Sequence, residues 1–135
     1  MGGTVQAKRE VLAAMLGEAR RNPAAECCGL LAGRDGVITE LLPAANALAS
    51  TTAFEIAPAE LFRLFRRMRA AGLEHLGIYH SHLKGDNAPS PRDLEQAYYP
   101  DVAYFVISPL PDAPRPARAF VIREGHATEL LIVEV

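Results

Sequence analysis

The chain has 135 residues, half of them hydrophobic, and a formal net charge of −2. This is the length of one ordinary domain, and the apolar content is enough to build a core without disulfides. Charges of both signs are spread along the sequence and no basic stripe stands out, which argues against a dedicated nucleic-acid-binding protein. We therefore expect residues 1–135 to form a single domain.

The first half of the chain predicts a helix followed by a hairpin. Apolar residues share one helical face over residues 7–21. Residues 26–33 and 37–42 are then typical of two strands, because a turn signal separates them. A small, polar stretch over 43–53 has no periodicity and is predicted to be a loop, and 54–56 to be a short extended piece.

The second half predicts two more helices and a run of strands. A helix over 58–72 begins at a proline and ends at a glycine. A strand over 74–82 follows, and then a helix that begins at Ser90 and ends near Tyr99. Three further strands are predicted over 103–108, 117–123 and 127–135. This order fits an α/β fold with one mixed sheet flanked by helices.

The compartment is predicted from cysteine usage and hydropathy. Cys27 and Cys28 are adjacent, and neighbours in a strand point to opposite faces, so a disulfide between them would be strained. We predict two buried, reduced thiols. No apolar run reaches the roughly 18 residues of a membrane span, and the first residues lack the apolar core of a signal peptide. These features predict a cytoplasmic protein without a membrane partner.

A metal-binding pattern lies at the end of the strand over 74–82. His80 and His82 face the same side of that strand. Their backbone positions are roughly 6.6 Å apart, so both rings can reach one ion. Asp93 lies one turn into the helix that begins at Ser90 and can point back toward the strand end. Two imidazoles and one carboxylate are a common ligand set for a catalytic divalent metal with an open position.

Alternatives remain for each of these residues. Ser90 and Asp93 are also typical of a helix-capping pair. Asp86, in the loop after His82, is a rival third ligand. Glu26, upstream at the start of an apolar run, is either a general base or an exposed strand residue. The HExxH and zinc-deaminase patterns are absent, but non-heme iron oxygenases also use two histidines and one carboxylate.

Together these residues resemble the motif of the JAMM (MPN+) metalloprotease family. In that motif a glutamate, here Glu26, lies upstream of His-x-His-x10-Asp, here His80-Ser81-His82 and Asp93. Ser90 also matches, and the likeness extends from Glu26 to about Ser108. The free-standing form is similar to prokaryotic members that act on ubiquitin-like sulfur-carrier proteins.

The resemblance implies a cytidine-deaminase-like α/β/α fold and one zinc ion per chain. By that resemblance His80, His82 and Asp93 are the zinc ligands. Glu26 is the general base and later the acid, and Ser90 donates a hydrogen bond to the oxyanion or holds the attacking water. Where the family usually has proline after the second histidine this chain has Leu83, which bears on loop geometry and substrate fit.

The implied function is a zinc-dependent peptidase or isopeptidase. Its substrate would be the bond after the C-terminal Gly-Gly of a small ubiquitin-like or sulfur-carrier protein. Because such a tail would enter as an extended strand, we expect an exposed sheet edge near the site. Two other functions stay open, namely a metal-free interaction module of the same fold and an iron-dependent oxidoreductase.

Overall fold

The computed structural model describes residues 3–135. Its helices and strands are, in chain order, β1 (Thr4–Ala7), α1 (Arg9–Arg21), β2 (Cys28–Arg34), β3 (Val37–Ala44), α2 (Pro58–Ala70), β4 (Glu74–Ser81), α3 (Pro91–Glu95), β5 (Ala103–Ile107), β6 (Ala117–Arg123) and β7 (His126–Glu134). The prediction of a single domain includes residues 1 and 2, which lie outside the described residues, and it stays a prediction.

The strands form one mixed sheet that closes on itself in the order β1-β3-β2-β4-β5-β6-β7. β1 closes it, because it pairs in parallel with β3 on one side and with β7 on the other. The prediction of a mixed sheet is therefore confirmed, but the sequence does not predict its closure. Each strand within residues 3–135 has a neighbour on both sides, but β1 pairs with β3 only at Val37 and Ile38, so residues 39–44 have β2 alone beside them. The expectation of an exposed sheet edge near the site stays a prediction.

Two apolar clusters lie on the two faces of this sheet. The first draws side chains from all seven strands and from Val11, Met15 and Ala19 of α1. The second lies on the other face of the strands and includes the buried side chains of α2. Ile78 and Tyr79 of β4 belong to different clusters because successive side chains of a strand alternate. The cytidine-deaminase-like α/β/α layering, with helices flanking the sheet, stays a prediction.

The bounds of the predicted helices and strands agree with the structure to within two residues, except at the end of α3. α3 ends at Glu95 and not near Tyr99. The N–H of Tyr99 donates to the hydroxyl of Tyr104 on β5, at 2.9 Å, so its backbone bonds to the sheet and not to the helix. The piece over 54–56 lies outside the sheet, although the chain there leads directly into α2.

Two features bear on the predicted compartment, namely the state of the cysteines and the apolarity of the helices. Cys27 and Cys28 are buried and form no disulfide, as predicted. Burial raises the pKa of these thiols to about 11 and about 12, so neither is a reactive thiolate at neutral pH. In residues 3–135 no helix has the length and apolarity needed to cross a membrane.

Candidate active site

Three side chains from β4, the residue after it and α3 converge on one point. The Nε2 atoms of His80 and His82 lie 3.2 Å apart, and Oδ2 of Asp93 lies 3.1 Å and 3.0 Å from them. Four tetrahedral zinc bonds of about 2.0–2.1 Å separate the ligand atoms by about 3.3 Å, which is close to these distances. The two nitrogens and one oxygen therefore fit a zinc ion in both chemistry and spacing.

His80 is the deepest member of this group and is held by an aromatic contact. Its side chain is 2% exposed. Its ring stacks on Phe54, with the ring centroids 4.5 Å apart. Burial lowers the pKa of His80 and outweighs the opposing effect of Asp93, so the neutral ring is favoured. A neutral imidazole is the form that binds a metal.

His82 is oriented by the loop that follows it. Its Nδ1 lies 3.0 Å from the carbonyl oxygen of Asp86. The carboxylate of Asp86, the rival third ligand, pairs instead with Arg118 at 3.1 Å. Burial lowers the pKa of His82, but the hydrogen bonds to Asp93 and to the Asp86 carbonyl raise it by more, so the net shift is upward.

Ser90 and Asp93 form a reciprocal cap at the start of α3. The Ser90 Oγ accepts from the Asp93 N–H at 3.1 Å, and the Asp93 Oδ2 accepts from the Ser90 N–H at 2.9 Å. Burial raises the pKa of Asp93, but hydrogen bonds from both histidines lower it by more, so this group is ionised. The capping interpretation is therefore confirmed, and the same cap aims Oδ2 at the histidines.

Glu26 lies two residues before β2 and is not an exposed strand residue, since only 4% of it is exposed. Its N–H donates to the Ser50 carbonyl at 2.8 Å, and its own carbonyl accepts from Nδ2 of Asn46 at 3.1 Å. Burial raises the pKa of Glu26 to about 7, although His82 opposes the shift. A carboxyl group with this pKa can accept and release a proton near neutral pH.

One cleft, of about 370 Å³, joins these groups. Glu26, His82 and Ser90 all line it. Its wall also includes Leu83, where the family usually has proline, and Lys84. Leu83 therefore lines the same cleft as Glu26, the candidate base.

Ser81, between the two histidines, bonds to the backbone of the residue that follows Glu26, the candidate base. It is fully buried, and its Oγ accepts from the N–H of Cys27 at 2.9 Å. Its own N–H donates to the Cys27 carbonyl at 3.0 Å. These two bonds fix the residue after Glu26 to the strand that carries His80.

The sequence reasoning missed Asn46, which organises the loop beside Glu26. Its Nδ2 donates to the carbonyls of Glu26 and Ala53, and its Oδ1 accepts from the N–H groups of Leu48 and Glu55. These distances are 3.1, 2.9, 3.0 and 3.2 Å. The available signal is a single amide in the predicted loop over 43–53, since asparagine often bonds to nearby backbone in turns.

A family model described as prokaryotic homologs of the JAB domain matches residues 8–123. The chain belongs to this prokaryotic JAB-domain family. All five candidate site residues lie within the matched segment: Glu26, His80, His82, Ser90 and Asp93. The predicted membership of the JAMM (MPN+) family is therefore confirmed.

Named relatives agree with this membership. The JAB-family chain is 32% identical to the CysO-cysteine peptidase of Mycobacterium tuberculosis over 124 residues, 90% of this chain and 85% of that protein. It is 36% identical to the desampylase of Haloferax volcanii over 91 residues, 65% of this chain and 66% of that protein. The predicted enzyme class, a peptidase, is confirmed by these relatives.

Solved structures share the fold. A protein from Desulfitobacterium hafniense superposes with a TM-score of 0.86 at 30% identity, over 98% of this chain and 93% of the other. A JAB1/MPN domain protein from Archaeoglobus fulgidus gives a TM-score of 0.64 at 21% identity, over 98% of this chain and 100% of the other. The second likeness concerns the fold alone, and it confirms the predicted JAMM/MPN fold.

Proposed function

We propose that this chain is a zinc-dependent peptidase that hydrolyses the peptide or isopeptide bond after the C-terminal Gly-Gly of a small ubiquitin-like or sulfur-carrier protein. The observation that carries the proposal is that Glu26, His82 and Ser90 line one cleft, where His82 also meets His80 and Asp93. The names of the relatives, CysO-cysteine peptidase and desampylase, support this class of substrate.

In this proposal His80, His82 and Asp93 hold one zinc ion per chain. When bound, zinc polarises a carbonyl group and lowers the pKa of water toward about 7. The carboxylate of Glu26 accepts a proton from the attacking water and then donates it to the departing amine nitrogen. Its raised pKa, about 7, suits both steps.

Ser90 contributes a hydrogen-bond donor in the same proposal. Its Oγ accepts the Asp93 N–H through a lone pair, which leaves the hydroxyl proton available. Through that proton the hydroxyl donates a hydrogen bond to the oxygen of the scissile carbonyl as negative charge develops there. The capping and catalytic roles of Ser90 are therefore compatible.

We propose that the extended piece over 54–56 is the docking strand for the substrate tail. The N–H and carbonyl of Glu55 bond to Asn46 and Ala47, at 3.2 and 2.8 Å. In extended backbone the flanking residues point their polar groups the other way, and within residues 3–135 those of Phe54 and Ile56 have no backbone partner. An extended tail can pair with them beside His80, on which Phe54 stacks.

Metal analysis tests the ligand assignment. With zinc supplied in excess at neutral pH and the free metal then removed, the protein should retain one zinc per chain. Asp93→Ala should lose it, whereas Asp86→Ala should retain most of it, because the Asp86 carboxylate pairs with Arg118. The assignment of His80, His82 and Asp93 as ligands would be refuted if the native protein retained no zinc. It would also be refuted if only Asp86→Ala lost the ion.

Mass spectrometry of candidate carrier proteins extended past Gly-Gly tests the activity. We expect the zinc-loaded protein to release the residues that follow Gly-Gly. Glu26→Gln should keep zinc but abolish cleavage, because an amide cannot take up the proton. Glu40→Gln, at an exposed glutamate of β3, is the matched control and should cleave normally. Cleavage by Glu26→Gln would refute the proposed base.

We propose the cytoplasm as the compartment of this activity. Cys27 and Cys28 are both unpaired thiols, and reducing compartments keep thiols in this state. The proposal includes neither nucleic acid nor a membrane as a partner.

A further inference from the structure

The loop after the second histidine, residues 83–89, is anchored to strands that carry no metal ligand. Asn87 is 5% exposed, and its Nδ2 donates to the carbonyls of Val106 on β5 and Arg115 just before β6, at 3.1 and 2.8 Å. Because breaking such bonds would leave a buried polar group unpaired, they hold this end of the loop firmly.

Arg118 of β6 anchors the residue that precedes Asn87. Its Nη1 donates to the carboxylate of Asp86 at 3.1 Å. Its Nε and Nη2 donate to the two oxygens of Glu129 on β7, at 3.1 and 2.8 Å. The Arg118 side chain is only 13% exposed, and the two-pronged pair with Glu129 fixes its plane, so Asp86 meets a preorganised partner.

Asp86 connects this anchor to a candidate metal ligand. Its carbonyl oxygen lies 3.0 Å from Nδ1 of His82. A carbonyl can only accept, so the ring bonds to it through a proton on Nδ1. When the ring is neutral its lone pair is then on Nε2, which can accept a hydrogen bond from Nε2 of His80, 3.2 Å away. His80 has no such constraint, because its Nδ1 has no hydrogen-bond partner among residues 3–135.

We infer that Arg118 and Asn87 are positioning residues for metal binding by His82. By holding Asp86, they keep its carbonyl on Nδ1 of His82 and so keep the ring in the tautomer whose Nε2 can bind the ion. Both act through Asp86 and neither contacts the ligand atoms. The inference rests on the proposed function only in taking zinc as that ion.

Zinc affinity, measured by competition with a chelator, tests this role. Arg118→Ala and Asp86→Ala should each weaken zinc binding about tenfold, the lower end of the effect seen for outer partners of metal ligands. The double variant should be little weaker than either single one, because both changes break the same contact. Asn87→Ala should weaken zinc binding in the same direction.

Arg115→Ala is the matched control. Arg115 also pairs with Glu129, at 2.9 Å, but its exposed side chain makes no ion pair with Asp86. This variant should bind zinc within about twofold of the native protein, as expected for an exposed ion pair.

Nitrogen NMR of the imidazoles in zinc-free protein gives a readout independent of metal and catalysis. The neutral His82 ring should be protonated at Nδ1 in the native protein and in Arg115→Ala, and should become a tautomer mixture in Arg118→Ala and Asp86→Ala.

The inference is overturned if Arg118→Ala and Asp86→Ala match Arg115→Ala in zinc affinity and in the His82 tautomer. Fully additive effects in the double variant would also overturn it. Where Arg118→Ala fails to fold, Asp86→Ala carries the test, since that side chain is 73% exposed. The two proposals can fail separately. If the variants show the expected tautomer change and weaker zinc binding, but the zinc-loaded native protein cleaves no carrier protein, the proposed function is refuted and this inference is supported.

Discussion

The hydroxyl group of Ser90 serves both the start of a helix and the wall of the cleft. It accepts the N–H of Asp93, and the returning bond from the Ser90 N–H holds Asp93 Oδ2 beside the histidines. A substitution at this position therefore changes helix capping and the chemistry of the cleft at once. The two effects can be separated because glycine is a tolerable N-cap and lacks a hydroxyl.

Ser90→Ala should lower kcat about a hundredfold, as the loss of one oxyanion donor does. It should also lower the free energy of unfolding by about 1 kcal/mol through the lost cap. Ser90→Gly should recover most of that stability and none of the activity. Steady-state kinetics and urea unfolding check both values, and recovery of kcat in Ser90→Gly would mean that the hydroxyl acts through capping alone.

Single residues of the site differ in how far the sequence predicts them. Alternation along a strand brings His80 and His82 to one side, and the Ser90 cap predicts the direction of Asp93. These relations depend on spacing within one element or between neighbours in the sequence. Arg118 could not be predicted in this way, because its partners Asp86 and Glu129 come from other elements that only the folded sheet brings near. Asn46 bonds mainly within its own loop, but its bond to Glu26 also depends on the fold.

At the scale of elements, β2 and its neighbours approach closely at Gly29. A Cβ at this position would lie 2.4 Å from the Leu42 carbonyl oxygen and 2.6 Å from the Tyr79 ring. Tyr79 has little freedom to retreat, because it is fully buried and its hydroxyl donates to Glu18 of α1 at 2.5 Å. Glycine is therefore required here for space, which accounts for its place three residues after Glu26.

Gly29→Ala should destabilise the protein by about 1–3 kcal/mol or more, the usual cost of overpacking. Gly17→Ala in α1 is the control, since its Cβ would meet only the flexible end of Arg21, at 3.0 Å. That change should be stabilising by about 0.5–1 kcal/mol because glycine weakens a helix interior. Urea unfolding of both variants measures the difference, and equal losses would contradict the steric explanation.

Glu18 should make stability depend on pH. Burial raises its pKa above the ordinary value of 4.5, in spite of the hydrogen bond from Tyr79. The unfolded chain therefore releases this proton first, so the contribution of Glu18 is fully present below the unfolded pKa and is lost as pH rises through the folded pKa. The free energies of unfolding of the native protein and of Glu18→Gln can be compared from about pH 4 to pH 8. As pH rises, the value for the native protein should fall relative to the value for the variant. An opposite slope would refute the assignment.

The elements themselves were predictable where local pattern decides them. β2 to β7 and all three helices have apolar periodicity or turn signals of their own. β1 does not, because the four residues from Thr4 to Ala7 are too short a run to establish a period, although their burial alternates in the folded sheet. Its conformation depends on β3 and β7 on either side, a relation between distant parts of the chain. α3 was predicted too long for a similar reason, since Tyr104 on β5 takes the backbone of Tyr99.

At the scale of the whole molecule, β1 should be as rigid as the strands beside it. Gln6 pairs with Val37 of β3 and with Val133 of β7, so its backbone is enclosed from both sides. Terminal segments usually fray, but exchange of the β1 amides requires this sheet to open. Hydrogen exchange followed by NMR should show β1 amides as protected as those of β7. Rapid exchange confined to β1 would contradict the closed sheet.

Closure of the sheet by β1 has a consequence for biosynthesis. Thr4 pairs with Leu131 and Ala7 with Glu134, so the seam joins segments from opposite ends of the described chain. Such distant contacts form late in folding, because nearly the whole chain must be looped to bring them together. On the ribosome the histidine-bearing β4 is complete well before β7 exists. Until then β1 and β6 each present a bare strand edge to neighbouring chains, so nascent copies face their greatest danger of aggregation just before the seam closes.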